Sequence, residues 1–256
     1  MRSRPAGGRR WSARMLDLLY PEPACCPLCG VRFAGRLRGW ARPQLCPRCL
    51  GDIAPLCGPL CRVCGRAGHG ALCADCAREP HDFFLARAYA GYEGSVQKAI
   101  KALKYQGDRD LIPILGGWLA EAYIRHFGGD RHMRVVPVPM HPAKQMRRGF
   151  NQADELARFL CRELRLQKRE YLRRVRLDQS QTTSSRAERL RAMEGAFQAA
   201  AAPPPARGDG KPQPWIAGEC VLLIDDVLTT GGTADACARE LFAAGAVSVY
   251  VLTVAR

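Results

Sequence analysis

Nine residues near the end of the chain concentrate groups able to do chemistry: Asp225-Asp226-Val-Leu-Thr229-Thr230-Gly231-Gly232-Thr233. They follow the apolar run Cys220-Val-Leu-Leu-Ile224 and precede a segment with helical spacing. Three threonine hydroxyls and a run of backbone N–H groups at a helix start suit a phosphate monoester. The glycines permit close backbone approach and unusual dihedrals. Adjacent carboxylates would repel that phosphate unless they hold the hydroxyls of a sugar, or a metal on them, with the phosphate further along. The stretch therefore reads as a sugar-phosphate site. It lacks the Gly-Lys-Ser/Thr of a nucleotide-binding P-loop and the G-x-G-x-x-G of a dinucleotide fold. The plainer alternative, an acid capping a helix, needs one carboxylate and gives the Thr/Gly run no task.

Cations are available elsewhere. Arg147 and Arg148 precede Gly149 and a predicted helix start, and guanidinium groups bind phosphate oxygens in pairs. Asn151 and Gln152 add amides, and Lys101 and Lys104 lie on an earlier predicted helix. From the residues alone, a solvated charged turn and a solvated helix face are the competing readings.

The second chemical signature is sulfur. Thirteen cysteines are present, ten of them between Cys25 and Cys76. Eight form C-x-x-C knuckles: Cys26/Cys29, Cys46/Cys49, Cys61/Cys64 and Cys73/Cys76. One knuckle brings two thiolates to one ion, and two knuckles complete a tetrahedral site. Sequential pairing gives two structural zinc sites, Cys26/Cys29/Cys46/Cys49 and Cys61/Cys64/Cys73/Cys76. Interleaved pairing and an iron–sulfur cluster are the alternatives. Cys25 and Cys57 fall outside the ladder, and His69 reads as a solvated loop residue. A glycine after the second cysteine, Gly30 and Gly65, permits the positive φ such a knuckle needs.

These groups need a scaffold. Strands are predicted at 85–93, 134–140, 220–224 and 248–254, and helices at 95–104, 110–126, 150–166, 186–194 and about 233–244. Alternation of strand and helix predicts an α/β fold with a mainly parallel, covered sheet. Residues 199–215, rich in Ala, Pro and Gly, read as a low-complexity loop. The division is a basic tail over 1–20, a cysteine module over 21–80 and an α/β domain over 81–256. Ligands in such sheets bind at the carboxyl ends of strands, where Asp225 to Thr233 would lie.

Composition sets the outer limits. In 256 residues, 47% apolar content supports a packed core, and no run approaches the roughly 20 apolar residues of a membrane span. The Arg-rich start has no apolar segment behind it and does not read as a secretory signal. A net charge of +15 favours phosphate-bearing partners, with an Arg-rich proteome as the bland alternative. Residues 1–80 hold 13 basic against five acidic side chains but few aromatics, a thin platform for stacking bases.

The strand, acid pair and Thr-Thr-Gly-Gly-Thr loop resemble the type I phosphoribosyltransferases and their fingerprint for 5-phosphoribosyl-1-diphosphate (PRPP). With the four knuckles, Lys101-Ala-Leu-Lys-Tyr-Gln-Gly-Asp108, Val136-Pro-Val-Pro-Met-His141 and Arg147-Arg-Gly-Phe-Asn-Gln152, the chain is similar to the competence-associated ComF/ComFC family. There a double zinc ribbon precedes a phosphoribosyltransferase domain. The resemblance implies that Asp225 and Asp226 contact the ribose hydroxyls and Thr229, Thr230, Gly231, Gly232 and Thr233 the 5-phosphate. It implies a diphosphate loop after Pro139, with Arg147, Arg148 and Lys104 as its cations, and a hood over Arg173 to Arg189. In that hood Asp178, Ser184 and Ala192 depart from the family's Thr, apolar residue and Asn. Zn²⁺ in the ribbons, Mg²⁺ with PRPP and a cytoplasmic location are also implied. Two functions follow: phosphoribosyl transfer with Mg-assisted diphosphate release, in DNA uptake or nucleotide salvage; or, without turnover, sensing of PRPP or a nucleotide by a protein that binds single-stranded DNA, competence proteins or helicases.

Overall fold

The computed structural model describes residues 24–33, 44–177, 193, 195–200 and 216–256. The basic tail, the expected helix at 186–194 apart from Met193, residues 178–189 of the expected hood and most of the 199–215 loop lie outside that set.

Five strands make one parallel sheet in the order β3-β9-β8-β4-β5, where β3 is Leu85–Ala90, β4 Arg134–Pro137, β5 Gln167–Lys168, β8 Cys220–Val227 and β9 Ser248–Ala255. The central pair β8 and β9 are runs of Val, Leu and Ile because apolar layers cover both of their faces. Leu222, Ile224, Leu252 and Val254 face the helices Ile112–Phe127 (α4) and Gln152–Leu164 (α6). Val221, Leu223, Val249 and Val251 face the helix Gly232–Ala243 (α7) and an antiparallel ribbon of β6 (Leu172–Arg174) and β7 (Phe197–Ala199). An α/β architecture preceded by a cysteine-rich module is as expected.

Three local differences shape the site. The helix expected over 95–104 is α-helical only over Gly94–Lys101 (α3) and widens into a π-turn at Ala102–Gln106. The strand expected over 134–140 stops at Pro137, and a helix, α5 (Pro142–Arg148), replaces a simple proline-rich turn. Pro142 opens it with the fixed φ of a first helical residue, and the His141 ring accepts from the Ala143 N–H at 3.2 Å. The strand expected at 220–224 continues to Val227, because β9 keeps pairing it through Asp225↔Thr253 and Val227↔Ala255. Both acids therefore lie within the strand and not beyond it.

The cysteine module is short hairpins and turns: β1 (Ala24–Cys25) with β2 (Arg32–Phe33), and helices α1 (Pro47–Gly51) and α2 (Ala74–Arg78). It is docked on β3, the sheet's open edge. The Leu56 N–H donates to Tyr89 O at 2.7 Å, and the Ala86 N–H to Val63 O at 2.7 Å. Arg256, at the end of β9, reaches Cys64 O at 2.7 Å. Gly65 has φ 70° and sits so close to Ala86 that a Cβ there would be 2.6 Å from its carbonyl oxygen. Cys26, Cys46 and Cys49 belong to the same apolar cluster as Tyr89 and Trp118. An edge strand left bare invites pairing with other chains; here the module occupies it.

Candidate active site

The four knuckles come together in sequence order. Cys26, Cys29, Cys46 and Cys49 form one cluster and Cys61, Cys64, Cys73 and Cys76 the other, each with all sulfurs within 4.8 Å of one another. The Cys29 and Cys46 sulfurs are 3.6 Å apart, those of Cys64 and Cys73 3.7 Å. Four thiolates about 2.3 Å from one tetrahedral zinc ion stand about 3.8 Å apart, so both clusters fit such an ion. Burial opposes charge on Cys26 and Cys61, yet backbone N–H groups aimed at each sulfur bring both down to about 6. Burial and neighbouring sulfurs push Cys49 up to about 12. Cys25, Cys57 and His69 belong to neither cluster.

At the carboxyl end of β8, a cleft of about 110 Å³ is lined by Asp225, Thr229, Thr230, Gly231, Gly232 and Thr233, among others. Gly231 has φ 90° and caps α7, whose first residues Gly232, Thr233 and Ala234 line this cleft. Met193, beside the β6–β7 ribbon, closes one side. Burial pushes the Asp225 carboxyl up to about 6, against the pull of Lys104, Arg174 and Lys144.

Asp226 is elsewhere. Successive strand side chains point to opposite faces, so Asp226 turns to the α6 face and is 3% exposed. Its Oδ2 lies 2.5 Å from Lys104 Nζ, and Gln152 Nε2 donates to it at 3.4 Å. Arg148 in turn donates to Gln152 Oε1 at 2.7 Å. Lys104, Gln152 and Arg148 thus form one polar chain ending on Asp226.

The same chain borders a second hollow of about 290 Å³, lined by Lys104, Tyr105, Lys144, Arg147 and Arg148. Lys104 and Tyr105 come from the π-turn, a widened turn frequent at functional sites. The others are from α5, which ends at Gly149. Burial lowers the Lys104 ammonium from its ordinary range; Asp225 offsets part of this, and Arg148 and Lys144 add to it. Arg148 lies 5.8 Å over the Tyr105 ring, which is 75% exposed. Lys101, by contrast, is exposed and donates to Gln97, so it lies on a solvated face.

Of the residues singled out in the sequence, Asp225 and the Thr229–Thr233 loop share one cleft, and Lys104, Arg147 and Arg148 share the neighbouring one. Asp226 lies in neither lining but is tied to the second through Lys104. Lys144, Gln152 as a bridge, and the His81–Asp235 pair beneath the loop were not legible. Only the proline at the start of α5 could have placed Lys144, by making 142–148 a helix.

No family model matches the chain. Among curated proteins, it is 28% identical to the DNA utilization protein YhgH of Escherichia coli (strain K12) over 239 residues, 91% of this chain and 97% of that one. It is 28% identical to competence protein ComFC of Bacillus subtilis (strain 168) over 246 residues, 90% and 94% of the two chains. Competence protein F of Haemophilus influenzae is 27% identical over 227 residues, 84% and 92%. Among solved structures, the glutamine PRPP amidotransferase of B. subtilis with ADP and GMP overlaps 55% of this chain and 25% of its own at 17% identity, TM-score 0.34. A mutant hypoxanthine phosphoribosyltransferase of Trypanosoma cruzi with the product IMP overlaps 56% and 63% at 14% identity, TM-score 0.31. Near full-length similarity to the competence proteins, the two four-cysteine clusters and the parallel sheet behind them make the chain similar to the ComF/ComFC proteins.

Proposed function

We propose that this protein binds PRPP and transfers its phosphoribosyl group. The observation that carries this reading is the proximity of an acid-and-hydroxyl cleft at the carboxyl end of β8 to a four-cation hollow, two of whose cations, Lys104 and Lys144, act on Asp225. In this arrangement Thr229, Thr230, Thr233 and the N–H groups at the start of α7 take the 5-phosphate. Asp225 accepts hydrogen bonds from the ribose hydroxyls. Lys104, Lys144, Arg147 and Arg148 receive the diphosphate, and Asp226 and Gln152 hold Lys104 and Arg148 toward it. The bond between the anomeric carbon and the diphosphate oxygen breaks and its electron pair leaves with the diphosphate. The acceptor forms the new bond to that carbon and releases a proton. Cations aimed at the leaving group stabilise the charge that develops there.

Mg²⁺ fits as a companion of PRPP, with Asp225 as the carboxylate beside it; when bound it would neutralise charge on the departing diphosphate. Zinc is the ion suited to the all-thiol clusters, which leave no open position and serve structure. A cytoplasmic location belongs to the same reading.

Incubation of the protein with PRPP, Mg²⁺ and a panel of purine, pyrimidine and single-stranded DNA acceptors, scored by diphosphate release, tests turnover. Acceptor-dependent release supports it. PRPP binding by calorimetry without any release would leave the second reading, a PRPP- or nucleotide-sensing protein acting on DNA or on competence or helicase partners. The basic module and the relatives' names, DNA utilization and competence, favour that alternative. A steep fall of DNA affinity with salt would mark it.

A further inference from the structure

The chain leaves the second cysteine cluster at Cys76 and, within five residues, buries His81 directly beneath the loop that we assign to phosphate. The side chains of His81 and Asp235 are 4% and 2% exposed. His81 Nδ1 lies 2.9 Å from Asp235 Oδ2 and 3.1 Å from Oδ1. The Asp82 N–H donates to Asp235 Oδ1 at 2.9 Å, so both carboxylate oxygens are engaged. The ring is packed closely by two further residues. Phe83 stacks on it at 4.4 Å, and Gly231 approaches so closely that a Cβ there would stand 2.5 Å from His81 Cε1.

Asp235 belongs to the first turn of α7, and its N–H donates to Gly231 O at 2.8 Å. A carboxylate in that turn favours the helix dipole but competes with a phosphate for the same N–H groups. Its two oxygens are instead turned to His81 and Asp82.

We propose that His81 is the positioning residue of the phosphate loop. Its Nδ1–H holds the Asp235 carboxylate away from the loop's N–H groups, and its ring fixes the height of Gly231. The second cysteine cluster delivers it: Val63, between Cys61 and Cys64, packs in the same apolar cluster as Phe83, Leu228 and Ala234. This inference rests on the phosphate reading of the Thr229–Thr233 loop.

The test is calorimetric titration of the full chain with ribose 5-phosphate and, separately, with inorganic diphosphate. His81→Phe keeps the ring and loses the donor. It should weaken ribose 5-phosphate at least tenfold while leaving diphosphate within twofold. His81→Asn, whose amide N–H replaces Nδ1–H, should recover most of that loss. Unchanged ribose 5-phosphate affinity in His81→Phe, equal loss of both ligands, or no recovery in His81→Asn overturns the proposal while the phosphate reading stands. A wild-type protein that binds no ribose 5-phosphate overturns both. If His81→Phe does not fold, Phe83→Leu, which removes only the stack, should cost ribose 5-phosphate about threefold and diphosphate nothing; no change there also overturns it.

Discussion

Lys104 Nζ and Asp226 Oδ2 are 2.5 Å apart, a lysine from a π-turn paired with a carboxylate 3% exposed in the central strand. The pair ties the central strand to the cationic hollow, one residue along β8 from the Asp225 that lines the other cleft. It neutralises the inner acid and brings the ammonium to the wall of the cationic hollow.

Removing one partner leaves the other buried and unpaired, which costs about 3–5 kcal/mol in such pairs. Lys104→Met is expected to destabilise the fold toward that range in urea unfolding, and Lys104→Met with Asp226→Asn to recover most of it. Both variants are expected to lose diphosphate affinity. A single variant as stable as wild type would show that Asp226 needs no cation.

Asp225 pulls stability and binding in opposite directions. Its carboxyl is pushed up to about 6 by burial from an ordinary 3.8. The folded state thus holds that proton more tightly than the unfolded chain. The sign is a penalty absent below the unfolded value, growing as pH rises toward 6 and fully present above. Asp225→Asn is expected to raise stability at pH 7 by about 3 kcal/mol, at 1.36 kcal/mol per pKa unit. It should also remove ribose 5-phosphate binding. In wild type, binding should strengthen as pH rises through 6. The control is inorganic phosphate, which shares the ligand's own titration but not the ribose hydroxyls, and its affinity should not change with Asp225→Asn.

Gly231 combines a left-handed φ of 90° with the His81 ring where a Cβ would stand. Gly231→Ala is expected to cost about 1–3 kcal/mol in backbone strain alone, and to weaken ribose 5-phosphate more than tenfold. Differential scanning calorimetry and titration read the two effects.

The cysteine module supports the sheet through β3. Freshly reduced protein is expected to carry two zinc ions per chain by elemental analysis. Removal of zinc with a chelator should lower the melting temperature, and hydrogen exchange should rise first at Ala86, whose N–H bonds to Val63 O. A chain beginning at residue 81 bares the β3 edge and is expected to self-associate in sedimentation. A monomeric, stable fragment would show the module to be dispensable for the fold.

How much was legible follows from how local each signal is. The acid pair and the Thr/Gly loop are contiguous, and one C-x-x-C turn presents two sulfurs wherever it sits, so both were readable without a fold. The strand–helix alternation was readable because β8 and β9 are apolar along their length. The end of β8 was not, since it is set by ladder pairs with β9 and not by its own residues.

From its sequence alone this protein was legible as an α/β chain with a sulfur-rich module and an acid pair followed by a Thr/Gly loop at a strand–helix junction. These are properties of neighbouring residues: period, turn chemistry and charge. Tertiary structure decided which groups share a space. It sent Asp225 and Asp226 to opposite faces, because a strand extended by its partner alternates its side chains. It brought His81 to Asp235 across 154 residues and Lys104 to Asp226, contacts that no local pattern encodes because they exist only once the sheet has closed.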